Sequence, residues 1–251
     1  MAEWYIGIDI GSTAAKAVAL GSETLRLVVP TGWSSVETAE TLRQALLEKG
    51  VDVTANPVVS TGYGRQAVPY AQKKVTEITC HAAGCAALYP TCTVIDIGGQ
   101  DTKAIYLEDG AVSDFLMNDK CSAGTGKFIE VMANRLGCTI DGLFALAEKG
   151  TPLAISSMCT VFAESEIVGY MGQGKAKEDI AAGIVYSVAG KVVQLVQQVP
   201  LADTVTLTGG LSHIPYMAAV LTEKLGHAVV AYPHGRYAGA YGAALLAKEI
   251  Q

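Results

Sequence analysis

The chain has 251 residues, half of them hydrophobic and 17% charged, with a formal net charge of −6 at pH 7. This composition excludes a disordered protein, and the length suffices for one large domain or two small lobes. The acidic balance argues against non-specific nucleic-acid binding, which needs a basic surface. No signal peptide or membrane-spanning stretch is recognisable, so we expect a cytoplasmic protein that binds no membrane.

The first predicted elements form a repeat. The segment "IDIGSTAAK" at 8–16 returns as "IDIGGQDTK" at 95–103, and each copy reads as a strand, a glycine turn and a second strand. We therefore predict two β-hairpins. Backbone N–H groups in a glycine turn can approach a phosphate, and a carboxylate just before the turn can hold a hydrated Mg²⁺. Two ordinary hairpins from an old duplication are the alternative.

Each hairpin supplies candidate residues for binding and hydrolysing a nucleotide. Asp9 and Asp96 are expected to orient Mg²⁺ and its waters, and Gln100 or Asp101 to position the attacking water. Phosphate contacts are expected from Gly11, Ser12, Thr13, Gly98 and Gly99. Lys16 and Lys103 are matched by the repeat, and their side chains point either to the nucleotide or to solvent.

The other predicted elements alternate between strands and helices, which favours an α/β fold. Apolar spacing predicts helices over 35–49, most of 70–88 and 178–199. A strand and turn are predicted over 57–64, a strand ending in Gly209-Gly210 within 203–212, and a small-residue turn leading into a helix over 237–250. The first lobe is expected at 1–88 and the second at 89–239, with the C-terminal helix at 240–251 packing back onto the first lobe.

Two of the six cysteines, Cys121 and Cys159, precede predicted helices. The positive end of a helix dipole favours a thiolate and an anionic cluster. A [4Fe–4S] cluster takes four thiolates, so a symmetric dimer with two such cysteines per chain would complete one. The remaining thiols at 85, 92 and 138 are expected as small core residues. After Cys121, the helix start at Gly126 and Lys127 offers further phosphate contacts.

The order of these pieces resembles the actin, Hsp70 and sugar-kinase superfamily, although the P-loop pattern is absent. The resemblance implies a two-lobed ATPase fold with duplicated hairpin-containing lobes closing on ATP. It also implies that a late strand and helix hold the adenosine. The corresponding residues are Gly209, Gly210, Leu211, Ala238 and Gly239.

A closer resemblance rests on "GIDIGST", "STGYGR", "TEITCH", "IDIGGQD", "NDKCSAGTGKF" and "SSMCTVFAESE". Together these motifs resemble the ATP-dependent activators of 2-hydroxyacyl-CoA dehydratases, the ATPase subunits of benzoyl-CoA reductases and the reductases of double-cubane cluster proteins. The family implies a homodimer bridged by one oxygen-sensitive [4Fe–4S] cluster on Cys121 and Cys159. It implies that ATP hydrolysis drives a low-potential electron into a partner iron–sulfur enzyme, with ferredoxin or flavodoxin as donor. The pair Cys80–His81 is not a ligand in that family.

Two alternatives belong to other functional classes. A small-molecule kinase of the same fold would need a substrate pocket with a catalytic carboxylate, and it leaves Cys121 and Cys159 without a role. A non-enzymatic, actin-like nucleotide binder would bind no iron. Iron and sulfide in an anaerobically purified protein would exclude both.

Overall fold

The computed structural model describes residues 3–156 and 159–250, so Ser157 and Met158 of the second cysteine motif and the terminal residue Gln251 lie outside it. The described chain divides into two compact units. The first comprises residues 3–92, 105–113 and 234–250, and the second comprises 93–104, 114–156 and 159–233. Residues 105–113 group with the first unit, which no sequence pattern had indicated. The predicted lobe limits stay a prediction.

The first unit is built on a five-stranded sheet. Its strands and helices are β1 (Tyr5–Ile10), β2 (Ala14–Leu20), β3 (Thr24–Pro30), α1 (Ser35–Leu47), β4 (Val58–Thr61), β5 (Lys73–Lys74) and α2 (Glu77–Ala86). The sheet order is β3-β2-β1-β4-β5, with β1 antiparallel to β2 and parallel to β4. The first predicted hairpin and the helix over 35–49 are therefore confirmed.

The prediction that most of 70–88 is helical is wrong in its first part. Residues Lys73–Lys74 extend the sheet as β5, and α2 begins only at Glu77. Thr76 determines this start as the N-cap residue, because its backbone is extended and its hydroxyl accepts a hydrogen bond from the Thr79 N–H.

The second unit contains most of a second five-stranded sheet. The elements are β6 (Cys92–Ile97), β7 (Thr102–Glu108), β8 (Ala111–Asn118), α3 (Gly126–Arg135), α4 (Ile140–Ala147), α5 (Thr160–Gly172), α6 (Lys177–Val196), β9 (Val205–Gly209), α7 (Pro215–Leu225) and β10 (Val229–Ala231). The order is β10-β9-β6-β7-β8, so β6 and β7 are neighbours as the repeat predicted. By length and hydropathy alone α6 would pass as a membrane span, but most of it is buried in the core of this unit.

The last helix, α8 (Ala238–Ala247), packs in the first unit against β1 and α2 at backbone distance. Three glycines make this approach possible, because a side chain on any of them would collide with a carbonyl oxygen. A Cβ on Gly7 would meet the Ala240 carbonyl, and one on Gly84 would meet the Ala238 carbonyl. A Cβ on Gly242 would meet the carbonyl of Cys80. The contact holds α2, α8 and the end of β1 in a fixed arrangement.

Candidate nucleotide and cluster sites

The two hairpin turns have the same backbone geometry. In the first, the Gly11 N–H donates to the Ala14 carbonyl at 3.2 Å. In the second, the Gly98 N–H donates to the Asp101 carbonyl at 2.9 Å. These residues occupy equivalent positions of the repeat, so the similarity in sequence reflects a similarity in hydrogen bonding.

The matched aspartates and lysines form matched ion pairs. Lys16 Nζ lies 3.3 Å from Asp9 Oδ2, and Lys103 Nζ lies 3.2 Å from Asp96 Oδ2. Both carboxylates are buried, Asp9 at 6% exposure and Asp96 at 3%. Each lysine therefore turns towards the carboxylate of its own hairpin rather than into bulk solvent.

A second pair of equivalent positions was missed from the sequence. Thr61 ends β4 beside Asp9, and Thr208 lies on β9 beside Asp96. Each threonine is followed by a glycine with positive φ, +89° in one case and +88° in the other. These glycines are Gly62 and Gly209. The signal was present as an apolar strand ending in Thr-Gly in both "VVSTG" and "VTLTG".

These two glycines pack in equivalent ways against the end of the hairpin's first strand. A Cβ on Gly62 would collide with the Ile10 carbonyl, and one on Gly209 with the Ile97 carbonyl. Each unit therefore contributes a hairpin and a neighbouring Thr-Gly strand end to its candidate site. Arg65, which had no role from the sequence, donates to the Gly62 carbonyl at 3.1 Å and holds the first of these turns.

The carbonyl groups of both turns accept hydrogen bonds from residues outside the hairpins. Thr31 donates its hydroxyl to the Gly11 carbonyl at 2.7 Å and its N–H to the Thr13 carbonyl. In the second turn the N–H groups of Gly126 and Lys127, at the start of α3, donate to the carbonyls of Gly98 and Gly99.

The N–H groups at the tips of the turns have a different environment. Among the described residues, those of Ser12, Thr13, Gly99 and Gln100 make no hydrogen bond. They are the groups that a phosphate would meet. Lys127 instead directs its Nζ to Glu130 at 3.1 Å, so its predicted phosphate contact stays a prediction.

The turns differ at the position occupied by Ala14 in the first and Asp101 in the second. The Asp101 carboxylate lies 2.7 Å from Lys103 Nζ, and its Oδ1 folds back against Gly98. Gln100 is exposed at the tip of the turn. Of the two candidates for positioning the attacking water, Asp101 is thus occupied in an ion pair, and the arrangement favours Gln100.

The residues expected to hold adenosine lie in two places. Gly209, Gly210 and Leu211 follow β9 in the second unit, where the Gly210 N–H donates to the Ile97 carbonyl at 3.1 Å. Ala238 and Gly239 begin α8 in the first unit. There a methyl group on Gly239 would lie 3.4 Å from Asp9 Oδ2, which places this glycine beside the candidate cation ligand.

The two predicted cluster ligands are both exposed, but only one stands at a helix start. Cys159 is the N-cap residue of α5. Cys121 lies in a loop before Thr125, the N-cap of α3, and its backbone is held at both ends by the Asn118 side chain. The start of α3 at Gly126 agrees with the helix predicted after the Ser-Ala-Gly-Thr-Gly segment, and Gly124 turns the loop before it with a left-handed φ of +88°.

A contact between the two cysteine segments was not visible in the sequence. The Ser122 and Thr160 hydroxyls, one residue after each cysteine, are hydrogen-bonded at 2.7 Å. The two thiols therefore belong to one surface region of the second unit. Within the described residues, no group of three or more side chains that could hold a metal ion is found, so the shared four-thiolate cluster stays a prediction.

The remaining cysteines are packed to different degrees. Cys80, Cys85 and Cys92 are buried, and Cys138 is partly buried. Burial raises the pKa of the Cys80 thiol to about 12. A thiol held neutral in this way is a poor metal ligand.

Comparison with known proteins agrees with this arrangement. The family model described as the BadF/BadG/BcrA/BcrD ATPase family matches residues 6–247. The (R)-2-hydroxyglutaryl-CoA dehydratase activating ATPase of Acidaminococcus fermentans is 42% identical over 257 residues, which cover 98% of each chain. The structure of the activator of the 2-hydroxyisocaproyl-CoA dehydratase from Clostridium difficile with bound ADPNP is 35% identical. It has a TM-score of 0.91 and covers 98% of this chain and 96% of that one.

A more distant likeness concerns the fold alone. A ROK family glucokinase from Streptomyces griseus, solved with glucose and AMPPNP, is 14% identical and has a TM-score of 0.63 over 98% of this chain and 99% of that one. The predicted fold class, an actin- and hexokinase-like α/β ATPase fold, is confirmed. The family match extends over nearly the whole chain, and the chain belongs to the BadF/BadG/BcrA/BcrD ATPase family.

Proposed function

We propose that the protein is an ATPase that couples hydrolysis to one-electron transfer from a [4Fe–4S] cluster shared by two copies of the chain. The acceptor is a partner iron–sulfur enzyme of the 2-hydroxyacyl-CoA dehydratase or benzoyl-CoA reductase type. The observation that carries the proposal is the joining of the two exposed cysteine segments through Ser122 and Thr160, in a chain of an ATPase family.

Nucleotide binding is supported by the turn geometry. Since the carbonyls of Gly11 and Thr13 are held by Thr31, the tip N–H groups of Ser12 and Thr13 are left to bind phosphate oxygens. Asp9 would hold a hydrated Mg²⁺, which neutralises charge on the transferring phosphoryl group. Mg²⁺ prefers oxygen ligands, and the buried Asp9 carboxylate offers them next to the turn.

The second turn offers a similar set of donors at Gly99 and Gln100. We propose that Gln100 orients the attacking water through its side-chain amide. Asp101 acts indirectly by holding Lys103. That both turns bind one triphosphate stays a prediction from the repeat.

Cluster binding is supported by the positions of the two thiols. At the N-cap of α5, Cys159 lies at the positive end of the helix dipole, which favours the binding of an anionic cluster. The loop of Cys121 is braced by Asn118 through hydrogen bonds of 2.9 and 3.3 Å. A bound [4Fe–4S] cluster would supply a one-electron carrier whose potential depends on solvent exposure and hydrogen bonding.

The second half of the ligand set comes from a partner copy in a homodimer. Exposed apolar side chains surround the cysteine segments and fit such an interface, among them Phe115, Met117, Val161 and Phe162. A ferredoxin or flavodoxin would reload the cluster in the cytoplasm. The alternative, a small-molecule kinase, gives no role to either exposed thiol.

The decisive experiment counts iron and sulfide, and measures mass, in anaerobically purified variants. We expect one cluster per dimer in the wild type and none in C121S or C159S, while ADP binding persists in both. C85S and C138S, which change the other thiols of similar size, should keep the cluster. One cluster per monomer, or a cluster retained without Cys159, would contradict the shared ligand set.

A second measurement tests the coupling. Electron delivery to an acceptor should require ATP and fail with a non-hydrolysable analogue. A colourless wild-type protein that phosphorylates a sugar or an acid would instead establish the kinase alternative.

A further inference from the structure

We propose that His81 is a positioning residue for Asp9, holding the carboxylate in the orientation that binds the hydrated cation of the nucleotide. This inference rests on the proposed ATPase function and extends it to a side chain for which the sequence indicated no role. The argument begins at Gly239, where α8 passes both groups.

The imidazole of His81 and the carboxylate of Asp9 approach the same point. A methyl group on Gly239 would lie 2.9 Å from His81 Cε1, 3.2 Å from His81 Nδ1 and 3.4 Å from Asp9 Oδ2. Cε1 and Oδ2 are therefore at most roughly 6 Å apart, and a single water between the ring nitrogen Nε2 and the carboxylate would join the two side chains. Any side chain larger than hydrogen at 239 would fill this space.

The orientation of the ring is determined by α2. His81 Nδ1 lies 3.0 Å from the Glu77 carbonyl, one helical turn earlier, so Nδ1 carries the proton and donates. The other nitrogen, Nε2, is bonded to the same Cε1 atom that approaches Gly239. The ring is 6% exposed, which removes it from bulk water.

The helix that carries His81 cannot shift easily. Near His81, the backbone of α2 packs directly against the backbone of α8. A Cβ on Gly84 would collide with the Ala238 carbonyl, and a Cβ on Gly242 would collide with the Cys80 carbonyl. Such packing holds the imidazole at one distance from Asp9. Supporting groups of this kind around a cation ligand are typically worth a tenfold to hundredfold change in affinity or activity.

Asp9 needs such support because it has few other partners. Lys16 is its side-chain partner among the described residues, at 3.3 Å, and the adjacent Thr61 hydroxyl forms no hydrogen bond. The corresponding Asp96 is held by Thr208 as well as by Lys103. His81 occupies the side of Asp9 that faces α8.

The test compares H81Q with H81N. A glutamine amide can reach the position of Nε2, whereas an asparagine amide reaches only that of Nδ1 and the Glu77 carbonyl. We expect H81N and H81A to need roughly tenfold to hundredfold more Mg²⁺ for tight ADP binding in titration calorimetry, and to lose kcat rather than raise KM. H81Q should recover most of both, and ADP binding without Mg²⁺ should be unchanged in all three.

C85A, one turn further along the same buried face of α2, is the matched control and should behave as the wild type. Equal recovery by H81N and H81Q would overturn the inference, because the bond to Glu77 would then be the whole role. If H81A does not fold, the comparison of H81N with H81Q still tests the inference.

The outcome also separates the inference from the proposed function. If Mg²⁺ no longer strengthens ADP binding in D9N but strengthens it in the His81 variants as in the wild type, only the inference about His81 is wrong. If the wild type binds no Mg-ADP, both fail.

Discussion

The two carboxylate turns share a backbone but differ in how tightly their aspartates are held. Asp96 accepts from Thr208 at 2.8 Å and from Lys103, which is itself shared with Asp101. In the described part of the chain, Asp9 pairs with Lys16, whose side chain is 17% exposed against 2% for Lys103. The two copies of the repeat thus have the same turn geometry, while in the second copy Asp96, Lys103 and Asp101 form an ion network. We interpret Asp9 as the carboxylate available to a cation and Asp96 as a brace for its turn.

The largest expected effect separates the two aspartates by activity and stability. D9N should lower ATP hydrolysis by at least roughly a hundredfold, because it removes the charge that holds the cation. Its stability should be close to that of the wild type. D96N should destabilise the fold by about 2–4 kcal/mol, since it removes the charge of Asp96 from the ion pair with the buried Lys103. Phosphate release and urea unfolding measure the two effects. Wild-type hydrolysis by D9N would refute the assignment of Asp9.

Replacing the lysine of the second turn should likewise lower the unfolding free energy more than replacing the lysine of the first turn. K103M leaves the buried carboxylate of Asp96 close to the partly buried carboxylate of Asp101, and should cost about 3–5 kcal/mol of unfolding free energy. K16M removes a partly exposed pair and should cost about 1 kcal/mol or less. Denaturant titrations of both variants check this, with the slope of each titration compared to exclude a change in the unfolded state. Equal losses would mean that the first turn is locked as firmly as the second.

The smallest expected difference in stability is between variants of the two threonines, Thr208 and Thr61. T208V removes a hydrogen bond to a buried carboxylate and should destabilise by about 1–3 kcal/mol. T61V keeps the shape and removes a hydroxyl that has no hydrogen bond, so its stability should be unchanged or slightly higher. Thermal unfolding of the matched pair is sufficient. A destabilised T61V would indicate that Thr61 bonds Asp9 in solution.

Local patterns in the sequence determined much of this protein. The repeat predicted both hairpins, because glycine turns and alternating apolar residues encode hydrogen bonds between residues close in the chain. Apolar periodicity predicted α1 and α6, and a small-residue turn predicted the start of α8. These patterns also reflect contacts between residues close in the chain. The motifs around Cys121 and Cys159 identified the family that the comparisons confirm.

Tertiary structure alone decided which distant residues meet. The equivalence of Thr61 with Thr208 depends on which strand lies beside each hairpin, and strand order is not a local property. The same holds for the bond between Ser122 and Thr160, 38 residues apart, and for the approach of His81 to Asp9 across Gly239. Such contacts come from packing two elements at backbone distance, and a single sequence records only the small residues that permit it.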